Sequence, residues 1–229
     1  MAAGREVLGE GAERVEELVL EQPLVMCEQT PFTIQTVLAE ESSEAYRVQV
    51  FSRMDRGEPT AEPHWMRHAS ARVCRAGGAG ASERLSLASL RDACREAISP
   101  GAHYERCQAL GLNYGPAFRA IAHLWQGEGQ SLAELQLPGE AQCWSESYRL
   151  HPVLLDASFQ IVAAAVGDLP AGEGMVWLPA GWSRLDWFGS PRGRACVHVQ
   201  VQSLDRLGSR RVAADVRLMN ADGVILAAV

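Results

Sequence analysis

The sequence predicts an α+β fold in which a long apolar helix is wrapped by antiparallel sheet, the pattern occurring twice with the first copy incomplete. Three observations predict it. Residues 151–167, HPVLLDASFQIVAAAVG, form a helix-length run interrupted after its opening His only by Asp156, Ser158 and Gln160, so other structure must cover it on most sides. Everything after that run reads as short strands and turns. The first 76 residues open on a helix end, AAGREVL closed by Gly9 and Gly11, and continue in extended segments.

Taken in order, residues 15–20, 33–38, 45–53 and 64–75 are strand candidates. In AYRVQVFSR, Tyr46, Val48 and Val50 alternate with Arg47 and Gln49, as one wet and one buried face require. GGAGASE at 77–83 breaks the composition, and the LSLASLRDACREAI that follows reads as a short helix or linker ending at Pro100. The expected division is therefore 1–76, a linker over 77–99, and a second domain over 100–229. From His103 a helical turn closes at Gly111 and leads to a Tyr114-Gly115-Pro116 corner. Residues 119–125 and 131–137 flank Gly127-Glu128-Gly129, a hairpin signal. Pro152 suits the first position of the central helix, where its missing N–H costs nothing. Residues 176–178 and 185–188 are short strands. ACVHVQVQSL sets Val197, Val199 and Val201 against a solvated face of Cys196, His198, Gln200 and Gln202; RVAADVRLM and VILAAV follow across a turn at 220–223. A long apolar helix with a meander able to curl around it is a hotdog, and the two halves together are a double hotdog.

Composition narrows the function classes. With 229 residues, 47% hydrophobic, 21% charged and a net charge of −7, the chain is an ordinary soluble type. It has no apolar run of the ~20 residues a membrane helix needs and no secretory pattern at its start, so it reads as cytoplasmic. The six cysteines form no CxxC, which argues for free thiols and no metal. No basic cluster interleaves with aromatics, which argues against nucleic acid.

The chemistry concentrates at Asp156. Gln160 lies one helical turn on and can hydrogen-bond the carboxyl. Burial raises a carboxyl's pKa, and here it should outweigh the helix dipole, giving a usable general acid. The alternative from the helix alone is a core carboxyl bonded to nearby backbone.

With GLNYGPAF at 111–118, LAELQLP at 132–138, HPVLLDASFQ at 151–160 and LPAGWSRL at 178–185, the sequence resembles the dehydratase domains of modular type I polyketide synthases. Weaker matches are PLVM at 23–26, VQVFSR at 48–53 and HWMRHA at 64–69. The resemblance implies a double hotdog that removes water from a 3-hydroxyacyl thioester, carried on the phosphopantetheine arm of an acyl carrier protein, to give a 2,3-enoyl product without metal or redox cofactor. It implies that Asp156 protonates the departing hydroxyl, that Gln160 hydrogen-bonds Asp156, and that Tyr114 holds the hydroxyl. Gly115, Pro116, Phe118, His151, Pro152, Leu178 and Pro179 match positions around the substrate.

One departure is large. The family's base is the His of HxxxGxxxxP, and that motif is absent from this sequence. The expectation is that it lies upstream, Met1 aligning near a helix that follows it. None of the six histidines replaces it: His151 opens the helix, His68 lies in a strand, His103 and His123 flank the Tyr114 corner, His198 shares a strand face with Gln200, and His64 precedes Trp65 in a loop. The competing readings are a non-catalytic double-hotdog scaffold or carrier-binding module, and a pyran-forming cyclase or double-bond isomerase on the same fold. The implied partners are the acyl carrier protein, neighbouring synthase domains and, for the parent, a second copy. Arg184, Arg192, Arg194, Arg206, Arg210 and Arg211 are candidates to meet an acidic carrier.

Overall fold

A computed structural model describes residues 6–9, 12–25, 31–54, 64–75, 83–142, 148–167, 177–191, 194–205 and 211–229. The chain divides into two compact units, residues 1–79 with 179–187, and residues 80–178 with 188–229.

The first unit is an antiparallel sheet in the order β2-β3-β4-β1-β8, with β1 Ala12–Leu20, β2 Phe32–Ser42, β3 Ala45–Met54, β4 Met66–Arg75 and β8 Gly181–Trp187. The four strands expected early in the chain are all present, and residues 6–8 are helical as the opening pattern requires. Strand β8 takes over most of the expected 185–188 segment, whereas Trp177 and Leu178 are not in a strand and residue 176 lies outside the described residues. Gly181 explains part of the LPAGWSRL motif: its φ is +150°, and a Cβ there would sit 2.0 Å from the Leu18 carbonyl oxygen. Charged side chains cross this sheet as an alternating ladder. Asp186 is bonded by Arg184 and, at 2.6 Å, by Arg14; Arg14 reaches Glu16 at 3.7 Å, Glu16 reaches Arg72 at 2.6 Å, Arg72 reaches Glu41 at 3.0 Å, and Glu41 reaches Arg47 at 2.7 Å.

The second unit is the helix-wrapped sheet the sequence predicts. Its strands run β11-β10-β9-β7-β6-β5, from β5 Glu96–Ile98, β6 Ile121–Gly127, β7 Gln130–Gln136, β9 Arg194–Leu204, β10 Val212–Met219 and β11 Ile225–Ala228. Val197 and Val199 on β9 are fully buried against Leu154, Ala157, Ile161 and Ala164 of the central helical run. That run is two helices rather than one, α4 Pro152–Gln160 and α5 Val162–Val166. Ile161 separates them; its carbonyl accepts from the fully buried Ser131 hydroxyl of β7 at 2.8 Å as well as from the N–H groups of Ala164 and Ala165.

The segment read as a short helix or linker contains a short helix and a three-residue strand. Within 77–99, residues 87–93 form helix α1 Leu87–Ala93, capped by Ser86, and β5 pairs with β6. Leu85, Leu87 and Leu90 close a small second core of Cys94, Leu132, Met219 and Ile225 on the face of the sheet away from α4. The solvated face expected for His198 is not what the fold gives: His198 is 5% exposed and bonded to Gln130. Helix α2 Pro100–Ala109, capped by Ser99, carries the chain to the Tyr114 corner, which ends in a 3-10 turn at Pro116–Phe118. The four-residue helix α3, Gly139–Gln142, follows β7.

Candidate active site

Asp156 sits in the second turn of α4, half-buried. The start of that helix is fixed by its own sequence. His151 is the N-cap, its Nδ1 accepting from the Val153 N–H at 3.2 Å, and it is also bonded to the backbone of Ala141; Pro152 fills the first position. Both residues therefore set the register that aims Asp156, and His151 spends its ring nitrogens on backbone rather than presenting them to a substrate.

Gln160 organises the acid. Its Nε2 donates to Asp156 Oδ2 at 2.8 Å and to the Phe118 carbonyl at 3.1 Å, tying the carboxyl to the 3-10 turn. Its Oε1 is buried and has no partner among the described residues. Burial pushes the Asp156 carboxyl above the usual carboxylate range, and the Gln160 hydrogen bond pulls back against it. The result is an acid that keeps its proton to higher pH than a surface aspartate.

Tyr114 faces the same charge. Burial first and the Asp156 carboxylate second hold its phenol well above the ordinary tyrosine value, so it is a hydrogen-bond donor throughout the physiological range. Its ring stands edge-on to Tyr104, centroids 6.1 Å apart. The structure thus gathers Asp156, Gln160, Tyr114 and the Phe118 carbonyl. Gly115 has φ −71° and a Cβ there would meet nothing within 4 Å, so open space adjoins the corner. Pro116 starts the 3-10 turn and Phe118, 43% exposed, ends it. Leu178, 61% exposed, and the exposed Pro179 lie outside this bonded cluster.

The remaining histidines are engaged elsewhere. His68 is buried with Nε2 2.7 Å from Ser52 Oγ and Nδ1 3.1 Å from the Gln22 carbonyl. His103 is buried beside Cys107 Sγ at 3.6 Å, and burial lowers its pKa to about 4, leaving it neutral. His123 stacks on Trp125. Sequence reasoning missed two contributors to the corner, Tyr104 and Arg119. Arg119 Nε donates to the Tyr114 carbonyl at 2.9 Å and its guanidinium lies 5.2 Å from the Tyr104 ring centre. The spacing of Tyr104 and Tyr114 carries no local signal, because a loop reversal makes the contact. Among the described residues there is no group of His, Cys, Asp and Glu arranged to hold a metal, and no helix is long and apolar enough to cross a membrane.

Comparison with known proteins bears on the family and the fold. A family model described as "Polyketide synthase dehydratase N-terminal domain" matches residues 82–229, and another described as "Polyketide synthase dehydratase domain" matches residues 1–53. Mycoketide-CoA synthase of Mycobacterium tuberculosis is 32% identical over 181 residues, covering 79% of this chain and 4% of the synthase. Polyketide synthase GfsA of Streptomyces halstedii is 30% identical over 224 residues, covering 97% of this chain and 3% of that protein. The dehydratase domain from the CurK module of curacin polyketide synthase aligns with a TM-score of 0.85 at 25% identity, over 99% of this chain and 76% of that one. The chain therefore spans a few hundredths of the length of these two synthases and about three quarters of the solved domain. It belongs to the dehydratase domains of polyketide synthases.

Proposed function

We propose that this chain carries the acid half of a dehydratase site that removes water from a 3-hydroxyacyl thioester, held on the phosphopantetheine arm of an acyl carrier protein, to give a 2,3-enoyl thioester. A base removes the C2 proton, the C3–O bond breaks, and Asp156 delivers its proton so that the hydroxyl leaves as water. Tyr114 donates to that hydroxyl while it departs. Neither half-reaction calls for a metal or redox cofactor. The observation that carries the reading is the half-buried carboxyl whose acidity burial has weakened, bonded at 2.8 Å by Gln160 and felt by the Tyr114 phenol.

The base is the His of an HxxxGxxxxP motif, which this sequence does not contain, so the reaction belongs to a longer polypeptide. That absence also supports the second reading, a scaffold or carrier-binding module that does no chemistry. For the carrier, Arg194 and Arg211 remain candidate contacts, whereas Arg184 is committed to Asp186; Arg192, Arg206 and Arg210 lie outside the described residues. We place the parent in the cytoplasm, as a homodimer among other synthase domains.

The test is mass-spectrometric detection of water loss from a 3-hydroxyacyl-pantetheine thioester, using this chain, the chain extended upstream through an HxxxGxxxxP segment, and the extended chain with Asp156→Asn. Activity of the extended chain alone, lost with Asp156→Asn, is the expected result. A folded but inert extended chain, across substrates of several lengths, removes the dehydratase reading and leaves the scaffold.

A further inference from the structure

We infer that Arg119 is a positioning residue for Tyr114, clamping the tyrosine corner from outside through its backbone carbonyl and through the ring of Tyr104. The inference rests on the dehydratase reading of the site.

The segment from Tyr114 to Ile121 is held at successive points. The Tyr114 carbonyl accepts from Arg119 Nε at 2.9 Å, the Phe118 carbonyl accepts from Gln160 at 3.1 Å, and the Ile121 N–H donates to the Tyr104 hydroxyl at 3.2 Å. Tyr104 is also the edge against which the Tyr114 ring stands, at 6.1 Å and 65°. Arg119 joins two of these supports. One directional N–H fixes the peptide that sets where the Tyr114 side chain starts, and the guanidinium, 5.2 Å from the Tyr104 ring centre, fixes the surface that limits where the phenol can swing. A planar guanidinium does both at once; a lysine ammonium makes one such contact or the other. Arg119 is itself exposed, so the core does not need it for burial. What it supplies is geometry, and misplacement of a reacting group by about 1 Å costs up to about 10²-fold in rate.

The experiment uses the longest natural polypeptide that carries this chain, with Arg119→Ala and Arg119→Lys, and follows water loss from a 3-hydroxyacyl-pantetheine thioester. Both variants are expected to lower kcat about tenfold or more, with KM changed less than about twofold and the folded state retained. In parallel, 13C-tyrosine spectra of the same polypeptide are recorded, the Tyr114 resonance is assigned as the one lost in Tyr114→Phe, and it is expected to move in both variants. An unchanged kcat, a rise in KM alone, or full activity in Arg119→Lys overturns the inference. If the unsubstituted protein releases no water, the dehydratase reading is what fails, and an unmoved Tyr114 resonance then overturns the clamp independently.

Discussion

At the scale of single residues, the site joins a residue that works against folding to one that folding does not need. Asp156 has a folded pKa above its unfolded value, so it contributes stability below the unfolded pKa of 3.8 and loses it as pH rises through the folded one. Asp156→Asn should therefore raise the melting temperature at pH 7 to 8 and leave it unchanged near pH 3, while lowering turnover by at least about 10²-fold; calorimetry and the water-loss assay check the two halves. Gly115 has an unstrained φ and empty space at its Cβ position. Gly115→Ala is expected to stabilise by about 0.5 kcal/mol through the unfolded chain yet raise KM if the acyl substrate fills the open space at this corner, as we propose; an unchanged KM shows that the substrate lies elsewhere. His103 shifts the other way from Asp156. Its pKa falls from 6.5 to about 4, so stability is complete above pH 6.5 and falls by about 3 kcal/mol toward pH 4. Urea titrations across that range should show the slope, and His103→Met should make it shallower, burial having lowered the pKa of His151 and His198 in the same sense.

At the scale of elements, the useful lesson is which charges and which faces the fold closes. In the ladder across the first unit, the Asp186 side chain is only 9% exposed and leans on Arg14, whereas Arg47 and Glu17 are 37% and 65% exposed. Arg14→Ala leaves a nearly buried carboxylate held by Arg184 alone and is expected to cost about 2 kcal/mol; Arg47→Ala should cost under about 0.5 kcal/mol and vanish at high salt. Equal losses in chemical denaturation would mean that the ladder acts as one unit. Helix α1 illustrates the opposite case, of a segment whose sequence reads equally as short helix or linker. Its glycine-rich approach masks an apolar side, Leu87 and Leu90, that pays for its order by covering Cys94, Leu132 and Met219.

At the scale of the whole molecule, burial is unevenly spread. Strand β9 has apolar cover on both faces, with Val197, Val199 and His198 each at 5% exposure or less, whereas β2 is exposed along most of its length. Amide hydrogen exchange should accordingly be slowest in β9 and fast in β2; the reverse order would contradict this distribution. Much of the architecture was legible beforehand. Strand-length extended segments located all four early strands and the late meander, because successive side chains of a strand point to opposite faces and leave a local pattern in the sequence that builds it. The apolar run at 151–167, the capping His151 and Pro152, and the i,i+4 pair Asp156 and Gln160 were legible for the same reason: local geometry alone relates them. What tertiary structure decided was every contact across the chain. The Ser131 bond to the Ile161 carbonyl, the Gln130 partner of His198, the Phe118 carbonyl that anchors Gln160, and the Tyr104 and Arg119 supports behind Tyr114 join residues whose spacing carries no period. Hydrogen bonds and ring contacts of that kind depend on where loops return, and only the folded chain fixes that.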